Sequence, residues 1–144
     1  MGCSPRWLIV GHGADEATLR RELGDAAMAG VLRGEELARA YASMDLLIFP
    51  SHTDTFGNVV LEALASGVPA VVTPYGGPAH IVQDGVTGIV ARDEEFARSI
   101  ANLLAAPERL QRMGCAAREY ALGCTWDAVF ERVIAEYPAV HKTA

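Results

Sequence analysis

The sequence predicts an α/β fold in which a parallel sheet is covered by helices on both faces, and three observations carry that prediction. Short runs that are apolar along their whole length, such as Leu46-Leu47-Ile48-Phe49 and Pro69-Ala70-Val71-Val72-Thr73, read as strands buried on both faces. They alternate with longer amphipathic stretches, as strand–helix–strand crossovers require. The 144 residues are 51% hydrophobic and contain no internal repeat, low-complexity tract or Ser/Pro/Gly-rich linker, so a single domain over residues 1–144 is expected. The fold class is a Rossmann-like three-layer α/β/α sandwich.

The elements follow in order. Trp7-Leu8-Ile9-Val10 reads as a strand that ends in Gly11-His12-Gly13 and gives way to a helix over 14–23. Met28 to Val31 is a weaker strand, followed by a helix over 35–44 with Leu37, Ala40, Tyr41 and Met44 in one apolar stripe. The strand at 46–49 stops at Pro50-Ser51, and a helix over 58–65 ends at Gly67, a usual left-handed stop. The strand at 69–73 closes at Pro74 and Gly76-Gly77, and Gly88-Ile89-Val90-Ala91 is the last strand. Three helices finish the chain. Phe96, Ile100, Leu103 and Leu104 share a face of the first, and Pro107 opens a second that aligns Leu110, Met113 and Ala117. Thr125 is placed to cap the third, whose Val129, Phe130, Val133 and Tyr137 point one way and whose Trp126 and Phe130 read as core, ahead of a frayed tail at 138–144.

Composition excludes several classes of function. Twelve Lys and Arg against eighteen Asp and Glu leave a net charge of −6, with no basic stripe for a nucleic-acid backbone. Cys3, Cys115 and Cys124 form no Cys-x-x-Cys and cannot all pair, so they read as thiols in a reducing compartment, the last two as buried fillers. No apolar run has the length of a membrane span and no secretion signal opens the chain, so a cytoplasmic location is expected. The turn after Val10 lacks Gly-x-Gly-x-x-Gly and carries Asp15 and Glu16 where a pyrophosphate would lie, which disfavours a dinucleotide oxidoreductase.

Ligands of open parallel sheets bind beyond the carboxyl ends of the strands, here after Val10, Val31, Phe49 and Thr73. The segment after Phe49 is the most informative. A polar loop, Ser51-His52-Thr53-Asp54-Thr55-Phe56, leads to Gly57, which lets another group approach the backbone where a helix begins. The N–H groups of Gly57, Asn58 and Val59 would face outward with the positive end of the helix dipole, a seat for phosphate. Asp54 stands just before that terminus, and Glu62 lies one turn further on, where a carboxylate can accept two hydrogen bonds from a vicinal diol. An anion seat flanked by two diol acceptors suits a nucleotide sugar.

The same run resembles the donor-site signature of the family 4 retaining glycosyltransferases, which have the GT-B fold. The signature is an acid, seven residues, then Glu, with Phe-Gly inside it and Glu-Ala-x-Ala-x-Gly-x-Pro following. Here these are Asp54, Glu62, Phe56-Gly57, and Ala63, Ala65, Gly67 and Pro69. Trp7 to Gly13, Glu36 to Asp45, Gly76-Gly77 through Gly88, and the helix from Trp126 are similar to further parts of that family, from about residue 6 to 137. The resemblance implies that Glu62 holds the donor ribose and that Asp54, where the family normally has Glu, meets the transferred sugar. It implies that the amides of Phe56, Gly57, Asn58 and Val59 cradle sugar and diphosphate, with Ser51 and His52 beside them, and that Val31-Leu32-Arg33 meets the nucleobase. The implied reaction moves a sugar from a nucleotide diphosphate sugar to an acceptor hydroxyl with retention. No metal and no cofactor are implied, since positive protein groups and the helix dipole take the diphosphate charge.

Two departures stand out within the motif region: Asp54 is one methylene shorter than Glu, and His80 stands where Glu is usual. The family's donor domain also opens with a strand, an Arg and a Lys, and follows a separate acceptor domain. None of these is recognisable here, so a truncated donor-binding domain, inactive alone, is the expectation. The strand at 7–10 would then pair with that at 46–49, or a neighbouring chain would fill the open sheet and bring self-association. Two alternatives stay open: a donor-binding subunit that works with a separate acceptor-domain chain, and a non-catalytic α/β domain.

Overall fold

A computed structural model describes residues 5–136; Cys3, Tyr137, His141 and the tail at 138–144 lie outside the described residues. The chain divides between Ser43 and Met44 into two compact units.

In the first unit, β1 (Leu8–Val10) pairs in parallel with β2 (Ala27–Gly30), with α1 (Glu16–Glu22) between them and α2 (Gly34–Ala42) after them. The register runs Leu8 to Ala27 and Ile9 to Met28, then slips so that Val10 opposes Gly30. A two-stranded ladder has little area with which to cover itself. The β1 residues are accordingly half-buried, those of β2 alternate between exposed and half-buried, and only Tyr41 of α2 is buried. Within this unit β1 takes β2 as its partner.

The second unit carries the core. Here β3 (Leu47–Phe49), β4 (Ala70–Val72) and β5 (Gly88–Val90) form a parallel ladder in that order, with Leu47 opposite Ala70 and Ala70 opposite Gly88. The helices are α3 (Asn58–Ala65), α4 (Pro78–Ile81), α5 (Asp93–Leu104), α6 (Pro107–Leu122) and α7 (Trp126–Glu136). Successive side chains of a strand point to opposite faces, and β4 shows the result. Ala70 and Val72 pack with Val60, Leu64, Val82 and Ala117, whereas Val71 packs with Ala91, Leu103 and Met113 on the other side. All three β4 residues are fully buried, so this unit is the expected α/β/α sandwich, with α3 on one face and α5 on the other. The helix α6 serves both clusters. It approaches the end of α3 so closely that a Cβ on Gly114 would lie 2.6 Å from the Gly67 carbonyl oxygen. The Arg118 guanidinium donates to the Ala65 carbonyl, placing a cation at the negative end of α3.

Several sequence expectations are corrected at the carboxyl end. Trp126 and Phe130 are 75% and 57% exposed rather than core, and Val129 and Val133 are exposed with them. The apolar periodicity of α7 is real, but none of its residues is buried, because no other described element covers that face. Thr125 does cap the helix, its Oγ1 accepting from Ala128 N at 3.2 Å. Cys115 is exposed and Cys124 half-buried, so neither is a buried filler, and Leu104 turns to solvent while Leu103 enters the core. The four-residue α4 was not expected; too short for any periodicity, it starts on Pro78, whose fixed φ suits a first turn.

Candidate functional site

The connection from β3 to α3 is held chiefly by the chain that follows β4. Thr73 is buried at the end of β4, and its hydroxyl donates to the Ser51 carbonyl. Ser51 Oγ in turn accepts from Asp54 N at 3.2 Å, starting the turn. Gly77 N donates to the Asp54 carbonyl at 3.0 Å. At the loop's outer edge, His52 Nε2 lies 3.0 Å from Asp93 Oδ1, and its ring sits 4.7 Å from that of Tyr75. Gly76 and Gly77 face the loop directly. A Cβ on Gly76 would collide with the Asp54 carbonyl oxygen, and one on Gly77 would lie 2.5 Å from the Thr55 carbonyl oxygen.

Gly57 is buried and left-handed, with φ of +76°, a conformation that costs glycine little. The group that approaches its backbone is part of the protein: a Cβ there would lie 2.9 Å from Ile81 Cδ1 and 3.0 Å from Pro78 N. Two of the expected cradle donors are also already used. Asp54 Oδ1 accepts from Phe56 N at 2.9 Å and from Gly57 N. The first turn of α3 returns to Gly57, whose carbonyl accepts from Val60 N at 2.9 Å and Leu61 N at 3.1 Å. The N–H groups of Asn58 and Val59 have no partner among the described residues, as helix geometry dictates for a first turn.

Asn58 and Glu62 are four residues apart, hence on one face of α3, and both are exposed; Val60, Ala63 and Leu64 on the other face are buried. The Glu62 carboxylate has no protein partner among the described residues, and Phe56, beside the seat, is 77% exposed. The second unit thus assembles Ser51, His52, Asp54, Phe56, Gly57, Asn58, Val59 and Glu62 around the start of α3. Val31, Leu32 and Arg33 belong to the first unit, where they join β2 to α2; Val31 is 60% exposed, and the Arg33 carbonyl accepts from Leu37 N.

The turn after β1 also carries a charged group. His12 Nδ1 lies 3.0 Å from Glu16 Oε2, and Arg20 donates to Glu16 Oε1 at 2.9 Å. The Arg20 hydrogen bond, followed by that of His12, holds the Glu16 carboxyl below its ordinary range. His80 is exposed on α4.

Thr73, Tyr75, Gly77 and Asp93 are the loop's anchors that sequence reasoning did not single out for that purpose. The Gly76-Gly77 pair was the available signal; Asp93, forty-one residues from His52, offers none. Two cavities of about 320 and 360 Å³ occur elsewhere. One lies under the β1–α1 turn, the other between Gly85-Val86 and the Arg109, Arg112 side of α6, and neither is lined by Asp54 or Glu62. No helix of the described residues is long and apolar enough to cross a membrane.

A profile of the family described as Glycosyl transferases group 1 matches residues 4–106. The GDP-mannose-dependent alpha-mannosyltransferase of Mycobacterium tuberculosis is 39% identical over 137 residues, covering 94% of this chain and 36% of that protein. The D-inositol 3-phosphate glycosyltransferase of Segniliparus rotundus is 40% identical over 107 residues, covering 72% of this chain and 24% of its own. Among solved structures, sucrose-phosphate synthase from Thermosynechococcus elongatus superposes with a TM-score of 0.75 at 26% identity, over 90% of this chain and 39% of that one. Anabaena HepE in complex with UDP-glucose superposes at 0.73 and 24% identity, over 93% of this chain and 41% of its own. The chain thus spans little more than a third, at most, of the curated relatives' length.

Proposed function

Because this chain belongs to the Glycosyl transferases group 1 family, we propose that it holds the donor in a retaining sugar transfer from a nucleotide diphosphate sugar to an acceptor hydroxyl. The observation that carries this reading is the start of α3. Two unpartnered N–H groups, those of Asn58 and Val59, stand at the positive end of a helix, and the exposed Glu62 carboxylate follows on the same side.

In this reading the diphosphate sits on the α3 terminus, where fixed dipoles stabilise the negative charge that grows as the sugar departs. Glu62 accepts from the two ribose hydroxyls, which sets the register of the nucleotide. Asp54 lies on the sugar side of the seat. The likeness to GDP-mannose-dependent mannosyltransferases supports GDP-mannose as the donor. Turnover requires an acceptor-holding domain, in cis or in trans, so the chain alone binds without transferring.

Titration calorimetry of the chain with GDP-mannose, GDP, UDP-glucose and UDP tests this reading. Heat is expected with the guanosine pair, and Glu62→Ala should weaken binding by about a hundredfold or more, as loss of two hydrogen bonds to a carboxylate implies. Since Glu62 is exposed and unpartnered, its removal should leave the melting transition in place. A folded chain that gives no heat with any of the four would leave the non-catalytic reading standing.

A further inference from the structure

Asp54 is fixed at both its ends. Its carbonyl oxygen accepts from Gly77 N at 3.0 Å, its own N–H donates to Ser51 Oγ at 3.2 Å, and its Oδ1 takes Phe56 N at 2.9 Å together with Gly57 N. The residue therefore closes a local ring across the turn that delivers the chain to α3. Two amides bound to one carboxylate oxygen are strong, charge-assisted donors, and they are directed inward to the loop. They are withheld from any anion outside it.

We propose that Asp54 is a positioning residue that acts on the donor through its loop, stapling the Phe56 and Gly57 amides so that those of Asn58 and Val59 alone face the diphosphate. The inference rests on the donor reading above and changes the role of this acid: the shorter side chain, in place of the family's usual Glu, holds the protein's own backbone. The ring is set by side-chain length. Asn presents the same oxygen at the same reach, Ala presents none, and Glu carries its oxygens one methylene too far for this turn.

The test uses the intact chain and its Asp54→Asn, Asp54→Ala and Asp54→Glu variants, with backbone amide exchange and binding of GDP and UDP, probes that carry no sugar. In the parent, nucleotide should shift the Asn58 and Val59 amide resonances and leave those of Phe56 and Gly57 nearly still. Exchange at Phe56 and Gly57 should rise about tenfold in the Ala and Glu variants and stay near the parent value in the Asn variant. Affinity for the sugar-free nucleotide should follow the same order, within about threefold of the parent for Asn and about tenfold weaker for Ala and Glu.

A carboxylate that grips only the sugar would leave GDP and UDP binding untouched in all three variants, and that result overturns the proposal. So does a Glu variant that matches the parent, or an Asn variant as impaired as Ala. Should the parent bind no nucleotide while exchange at Phe56 and Gly57 still responds to Asp54→Ala, the staple stands and the donor reading fails.

Discussion

Gly77→Ala tests the contact between the glycine pair and the donor loop without the strain of a left-handed backbone. Gly77 has φ −61° and ψ −41°, an ordinary right-handed conformation that alanine adopts without strain. On the unfolded side, alanine stabilises by about 0.4–1 kcal/mol, because the freer glycine chain has more entropy to lose. On the folded side, the new Cβ would lie 2.5 Å from the Thr55 carbonyl oxygen and 2.7 Å from the Thr55 and Phe56 carbonyl carbons. All three are backbone atoms of one pinned turn, so no rotamer change relieves the overlap. Overpacking costs about 1–3 kcal/mol, and a rigid opposing backbone places this case near the upper end. The net expectation is a loss of about 1.5–2.5 kcal/mol, or roughly 5–10 °C in melting temperature for a chain of this size. Gly123→Ala is the control: it is also right-handed, and its nearest neighbour, the Tyr120 carbonyl oxygen, would be 3.4 Å from the new Cβ. Thermal unfolding followed by circular dichroism should show Gly77→Ala below the parent and Gly123→Ala at or above it. A Gly77→Ala chain as stable as the parent would refute the claim that these two turns abut through backbone.

Three further outcomes follow from burial and charge. Leu64 is fully buried between α3 and β4, so Leu64→Ala should cost about 2–5 kcal/mol in urea unfolding, whereas Phe130→Ala on the exposed face of α7 should cost under about 1 kcal/mol. Equal losses would show that α7 is covered after all. Thr125→Ala removes the hydroxyl that caps α7 and should lower stability there by about 1 kcal/mol, read as faster exchange of the Ala128 amide. Arg20→Gln removes the largest cause of the depressed Glu16 pKa, so the Glu16 carboxyl, followed by NMR titration, should titrate at higher pH than in the parent. Because its folded-state value is the lowered one, the Glu16 contribution is present above the ordinary carboxylate range and fades as pH falls through the depressed value. An unmoved titration in the variant would mean that the Arg20 contact does not persist in solution.

Much of the second unit was legible because its signals are local. Apolar runs bounded by Pro and Gly mark β3 and β4, Gly67 stops α3, and Thr125 caps α7 without help from distant residues. The spacing from Asn58 to Glu62 likewise needs only helix geometry to set both on one face of α3. What periodicity could not supply was the identity of the surface that an apolar stripe meets. The stripe of α2 includes the buried Tyr41, whereas the equally regular stripe of Trp126, Phe130 and Val133 on α7 stays exposed.

By itself the sequence determined the alternation of strands and helices apart from the short α4, the α/β class of the second unit and the position of the candidate seat, since each shows as a local pattern of residues. Only the tertiary structure decided how that seat is built. It brought Thr73, Gly77 and Asp93 to the loop from later in the chain, and it packed Pro78 and Ile81 against Gly57. The physical reason is that backbone hydrogen-bond donors have no preferred partner in the sequence. The Asp54 carboxylate reaches the Phe56 and Gly57 amides from within the loop, but that the Gly77 amide takes the Asp54 carbonyl is settled only where the packed turns meet.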